Sequence, residues 1–113
     1  MANRTDLLQG TLELLILKVL RLGELHGWGI SKRVRSLSND VLQIQQGSLY
    51  PALYRLEDRG LISATWGISD EGRKAKFYQL TPAGKRQLRL ETESWKRHGD
   101  MIAAFLSAVP EEL

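Results

Sequence analysis

With 113 residues, 42% of them hydrophobic and 26% charged, the chain has the composition of one compact globular domain and is too short for two separate cores. The absence of cysteine excludes disulfide scaffolds, thiolate zinc sites and cysteine nucleophiles, and fits a reducing cytoplasm. The net charge of +3 is unevenly placed: residues 28–81 carry eight bases against five acids, while the two flanks balance, which points to a polyanionic partner.

The first ten residues read as an arm. From Thr11 to about Arg21, Leu12, Leu15, Ile16, Val19 and Leu20 recur at helical spacing, with Leu14 and Leu17 on the flanks and Gly23 past the end. The apolar run from Leu7 to Leu20 is broken by Gln9, Gly10, Glu13 and Lys18, so neither a membrane span nor a signal peptide is expected. His26-Gly27 turns into a second helix, with Ile30, Val34 and Leu37 as its buried face and Lys32, Arg33 and Arg35 outward. Val41 to Ile44 reads as a scrap of strand.

A third helix is expected from about Gly47-Ser48, with Ser48 as N-cap and Pro51 in the first turn, ending at Gly60. Leu49, Leu53 and Leu56 form its core stripe, and at about 100° per residue Pro51, Tyr54, Arg55 and Asp58 fall opposite. The period then switches to alternation. Leu61 to Trp66 and Lys74 to Leu80 read as a hairpin with a polar tip. Thr81 and Pro82 are an N-cap and first position for a last helix running to about Val109. The expected fold is mainly α (α+β): a winged helix-turn-helix over residues 1–81 with a two-stranded wing, then a long C-terminal helix over 82–113.

Three stretches closely resemble the PadR family of bacterial transcriptional regulators. They are Gly10-Thr11-Leu12-Glu13-Leu14-Leu15-Ile16-Leu17, then His26-Gly27-Trp28-Gly29-Ile30, then Gly47-Ser48-Leu49-Tyr50-Pro51-Ala52-Leu53-Tyr54-Arg55-Leu56-Glu57. Phe77 to Gly84 looks like that family's second wing strand and its junction to the C-terminal helix. The family favours Tyr where Trp28 stands and an acid where Gly29 stands, and both departures lie off the third helix. A single C-terminal helix is similar to the short-form members. The resemblance implies a homodimeric DNA-binding repressor, often relieved by a small aromatic or drug-like molecule.

The candidate DNA contacts are Lys32, Gln46, Ser48, Tyr50, Pro51, Tyr54 and Arg55 on the helices and Arg73, Lys74 and Lys76 on the hairpin. Helix side chains near base edges would read sequence, and hairpin cations would meet phosphates of a pseudo-palindromic double-stranded operator. On the last helix, Leu88, Trp95, Ile102 and Val109 recur every seven residues, with Gly99 and Leu106 on the adjoining line. A helix pair suits that repeat, so Leu88, Trp95, Gly99, Ile102, Phe105 and Leu106 are the candidate dimer seam. Folding back on the chain's own core is the alternative. Trp95 is either a core anchor or, at a two-fold axis, half of an aromatic sandwich for a flat ligand.

His26 and His98 have no ligand cluster around them, so no metal or cofactor is expected; His26 reads as a turn residue on the first helix and His98 as part of the seam. No nucleophile-base set or phosphate-cradling loop points to an enzyme. The competing reading is a winged-helix module for protein–protein contact, in which the basic face is incidental.

Overall fold

A computed structural model describes the backbone of residues 4–112 and the side chains of residues 11–111. In chain order the elements are α1 (Arg4–Leu22), β1 (Leu25–His26), α2 (Gly27–Leu37), α3 (Gln46–Asp58), β2 (Ile62–Ile68), β3 (Lys74–Leu80) and α4 (Pro82–Ser107), with a final 3-10 turn at Pro110–Glu112. The helical stripes converge on one core. Leu12, Ile16, Leu17, Val19 and Leu20 of α1 meet Ile30 and Val34 of α2 and Leu49, Ala52, Leu53 and Leu56 of α3. Leu61, Ile62, Tyr78 and Leu88 close it from the hairpin and α4.

Several expectations are corrected. Helix α1 takes in Arg4 to Gly10, which read as an arm; residues 1–3 lie outside the described backbone. Gly10 is the strongest helix-disfavouring residue there, and one interior glycine costs about 1 kcal/mol. Leu37, the last residue of α2, is 58% exposed because no element reaches over that end. Val41 to Ile44 forms no strand. The left-handed pair Asn39 and Asp40 (φ 53° and 65°) turns the chain, and the Leu42 N–H donates to Ser38 Oγ at 3.0 Å. The alternation in that segment is real, since Leu42 and Ile44 pack on the core, but no neighbouring strand is in reach to pair with it.

The N-cap of helix α3 falls three residues earlier than expected. Gln45 is its N-cap without a side-chain hydrogen bond, which puts Ser48 inside the first turn and Pro51 at the sixth position. The proline there removes the bond to the Gly47 carbonyl, a loss that water can offset because both residues are exposed.

The wing is part of a three-stranded antiparallel sheet in the order β1-β3-β2, where a two-stranded one was expected. Leu25 and His26 pair with Tyr78 and Phe77. His26 packs its ring 5.2 Å from that of Phe77, and its Nδ1 accepts the Gly29 N–H at 2.9 Å, capping α2. It is therefore bound to the wing rather than simply laid on α1. Between β2 and β3, Trp66 faces Lys76, Ile68 faces Lys74 and Ala64 faces Tyr78. With a side-chain period of two, these six residues share one sheet face.

Thr81 caps α4, accepting the Gly84 N–H at 3.0 Å, and Pro82 takes the first position as the sequence foretold. Gly84 lies so close to the Leu61 backbone that an added Cβ would collide with the Leu61 carbonyl oxygen. Gly84→Ala is therefore expected to cost about 3 kcal/mol, since backbone on both sides blocks relief, measured by urea unfolding at fixed protein concentration.

Candidate nucleic-acid interface

Helix α3 is buried along Leu49, Ala52, Leu53 and Leu56 and exposed along Gln46, Gly47, Tyr50, Pro51, Tyr54 and Asp58. The 3.6-residue period separates these two stripes. Ser48 is half-buried between them. Tyr50 and Tyr54 are the large side chains on the open stripe, 48% and 69% exposed. Tyr50 lies back across the first turn of α2, where an added Cβ on Gly27 would come within 2.8 Å of its hydroxyl.

Arg55 stands apart from that stripe. Its Nε donates to Glu13 Oε1 at 2.9 Å, and Arg59 reaches the other oxygen of the same carboxylate at 3.4 Å. Sequence reading placed Arg55 opposite the leucines as a candidate base or phosphate contact; the structure gives it a partner on α1. The helical wheel of one element carries no signal for that.

The hairpin cations gather on one sheet face. Lys74 holds its ammonium 5.2 Å from the centre of the Trp66 ring, and Lys76 stands 5.6 Å from the Tyr78 ring while pairing with Glu57 at 3.2 Å. Burial pushes the Tyr78 phenol above its usual pKa, with the Lys76 charge working against the rise. Arg73 sits at the exposed tip, where Gly72 (φ 76°) turns the chain and the Ser69 N–H donates to the Arg73 carbonyl at 2.7 Å. Among the described residues neither Arg73 nor Lys74 has an ion pair, whereas Arg35 on α2 is held by Asp40 at 3.0 Å. Lys32 is exposed on the outward side of α2. The structure thus brings Tyr50, Lys74, Lys76 and Arg73 around one groove and leaves Lys32 and Tyr54 outside its lining. Trp28 and Trp66 line the same groove, and neither was among the candidate contacts read from sequence. Their signal was present only as aromatic residues at exposed positions of two distant elements.

The long helix does not fold back. From Glu93 to Glu111 every residue is exposed, including Trp95, Met101, Ile102, Phe105, Leu106 and Val109. Trp95 makes an edge-on contact with His98, ring centres 5.7 Å apart, and nothing lies within 4 Å of where a Cβ on Gly99 would be. Leu88, which the seven-residue repeat set on the seam, is 7% exposed and belongs to the chain's own core. Among the described residues no helix is long and apolar enough to cross a membrane, and no three acidic, His or Cys side chains are grouped to hold a metal.

Comparison with known proteins bears on this arrangement. The model of the transcriptional regulator PadR-like family matches residues 16–90. The negative transcriptional regulator PadR of Bacillus subtilis is 33% identical over 73 residues, 65% of this chain and 40% of that protein. A transcriptional regulator from Clostridium thermocellum superposes with a TM-score of 0.82 at 28% identity, covering 90% of this chain and 99% of that one. A PadR-like transcriptional regulator from Bacillus cereus gives 0.80 at 29% identity, over 92% and 99%. The chain spans less than half of the Bacillus subtilis protein it matches.

Glu13→Gln removes the charge that holds Arg55 and Arg59. Because both arginines are substantially exposed, the expected loss is below about 1 kcal/mol, read from the midpoint of thermal unfolding.

Proposed function

The chain belongs to the PadR-like family of transcriptional regulators, DNA-binding proteins rather than enzymes, and from that premise we propose that it is a cytoplasmic homodimeric repressor of a pseudo-palindromic operator, released by a small aromatic ligand. The observation that carries the dimer is the bare apolar side of α4. A 26-residue helix with Trp95, Ile102, Phe105 and Leu106 open to water is stable when a second copy covers it. With Leu88 taken by the core, the seam runs from Trp95 through Gly99 to Leu106. Two-fold pairing sets the two α3 helices about 34 Å apart, one duplex turn.

In this reading the open stripe of α3 enters the major groove, with Tyr50, Pro51 and Tyr54 at base edges. The uncapped first turn at Gln46, Gly47 and Ser48 meets a phosphate. Arg73 and Lys74 meet the flanking backbone, joined by Lys76 and Lys32. Arg55 reaches DNA with its terminal nitrogens while its Nε stays on Glu13, or by exchanging that carboxylate for a phosphate. Trp95 facing its symmetry copy, with the space beside Gly99, makes the ligand sandwich, and a bound ring changes the angle between the long helices and hence the half-site spacing.

Lys74→Ala should weaken binding to all duplexes alike and flatten the dependence of log affinity on log salt by about one unit, measured by fluorescence anisotropy across a salt series. Tyr54→Ala should cost about 1–3 kcal/mol on the operator with little change on random duplex, since it removes a base-edge contact alone. Unchanged operator binding by the Tyr54 variant would remove α3 from sequence reading. Replacing Ile102 and Phe105 by Asp should give a folded monomer by sedimentation velocity; a variant that stays dimeric would place the interface elsewhere. A protein–protein module would show no salt-dependent duplex binding.

A further inference from the structure

Glu13 stands on α1 between the buried Leu12 and Ile16, and its side chain is only 20% exposed. Its carboxylate is shared. Oε1 accepts the Arg55 Nε–H at 2.9 Å, and Oε2 accepts from Arg59 Nη1 at 3.4 Å. Two guanidiniums share one carboxylate, so the triad keeps a net positive charge where α3 meets α1. Ion pairs this exposed on the arginine side add little to stability.

What the pair does to Arg55 is geometric. A guanidinium carries five N–H donors in one plane, and Glu13 takes only the one on Nε. Among the described residues no group engages the Arg55 Nη1 or Nη2, so the end-on fork is left open. The side chain is 42% exposed, enough for that fork to meet a partner from solution. Arg55 follows Tyr54 by about 100° around α3 and stands beside the open stripe, on its α1 flank. In the DNA reading above, Tyr50, Pro51 and Tyr54 approach base edges, and that flank faces the groove wall, where phosphates run. Exchanging Glu13 for a phosphate is the costlier course. It would leave a largely covered carboxylate with Arg59 alone and bring a second anion beside it. Keeping Nε on Glu13 puts the two anions at different edges of one guanidinium. It also fixes the side chain before DNA arrives, so less rotamer freedom is lost on binding.

We propose that Glu13 is a specificity-determining positioning residue: it holds Arg55 by Nε so that the terminal nitrogens form a fixed fork for one backbone phosphate, which sets the register of α3 in the major groove. This role rests on the DNA reading above and goes beyond it, since Glu13 itself touches no DNA. A phosphate contact held in one place favours the duplex whose bases then match, whereas a freed Arg55 finds a phosphate on any duplex. Glu13 therefore acts on discrimination between duplexes. Its negative charge alone would lower the affinity for all of them by the same factor.

The test uses the full chain, a duplex that it selects from a randomised pool, and a scrambled duplex of the same length and composition. Affinities are read by fluorescence anisotropy across a salt series. Glu13→Gln should lower the ratio of selected to scrambled affinity about tenfold, the size of one charge-assisted contact. The selected duplex should bind more weakly and the scrambled one as well or better. A purely electrostatic role would raise both affinities together and a merely structural one would lower both; either result, with the ratio unchanged, overturns the proposal. Arg55→Lys keeps the charge but offers a single nitrogen to two anions, so it should lower the ratio by a similar factor. A ratio that Arg55→Lys leaves intact also overturns the proposal, and this variant decides alone should circular dichroism show that Glu13→Gln is not folded. Adding Glu13→Gln to Arg55→Lys should change the ratio no further, and additive losses would break the link between the two residues. Arg55→Gln should flatten the salt dependence on the selected duplex by about one unit, and an unchanged slope would take Arg55 off the phosphates. A wild-type chain that binds no duplex, or binds both equally, overturns the DNA reading and the role of Glu13 with it. Discrimination by the wild type that Glu13→Gln leaves intact overturns the role of Glu13 alone.

Discussion

At the junction of α3, the wing and α4, four chain directions meet within a few residues. Gly60 (φ 73°) ends α3 in the left-handed region, and its carbonyl accepts the Thr81 hydroxyl at 2.7 Å. The next carbonyl, that of Leu61, accepts the Thr81 N–H at 3.1 Å and lies against Gly84. Leu61 itself is buried in the core. The start of β2, the end of β3 and the first turn of α4 are thereby locked to the end of α3. Only a residue without a Cβ at position 84 lets the backbones come this close. Wing orientation and the departure angle of α4 both follow from this contact, so the placement of cations relative to α3 and the course of the long helix share one cause.

The strand period does the second part of the work. Once Leu61 and Ile62 are anchored, alternation forces Ala64, Trp66 and Ile68 onto the same face as Tyr78, Lys76 and Lys74. Near the junction that face is apolar and buried, as at Ile62 and Tyr78. Towards the tip it becomes aromatic and cationic and leaves the core. A single sheet face thus grades from packing surface to exposed aromatic and cationic surface, and β1, pairing on the other edge of β3, ties the capped start of α2 to the same sheet.

Helix α4 has the reverse grading. Its first two turns belong to the core through Gly84 and Leu88, and from Glu93 to Glu111 every residue is exposed. The packing crosses the boundary drawn between residues 81 and 82 on sequence grounds. The cationic wing and the bare helix are therefore mechanically continuous through the Leu61–Gly84 contact.

Local periodicity was enough to read from sequence the leucine stripe of α3, the core face of α1, the two long strands and the Thr81-Pro82 start of α4. Each of these is set by residues within a turn or two of one another, through burial of one face or satisfaction of one cap. The family resemblance covered the same segments. What required the tertiary structure was every property shared by elements distant in the chain. Arg55 meets Glu13 across 42 residues, and Trp28 and Trp66 line one groove. Leu88 turns inward to its own core while Trp95, seven residues on along the same helix face, stays open. A seven-residue repeat records that a helix has an apolar side; whether that side meets its own chain or another depends on where the rest of the molecule ends, which no single helix encodes.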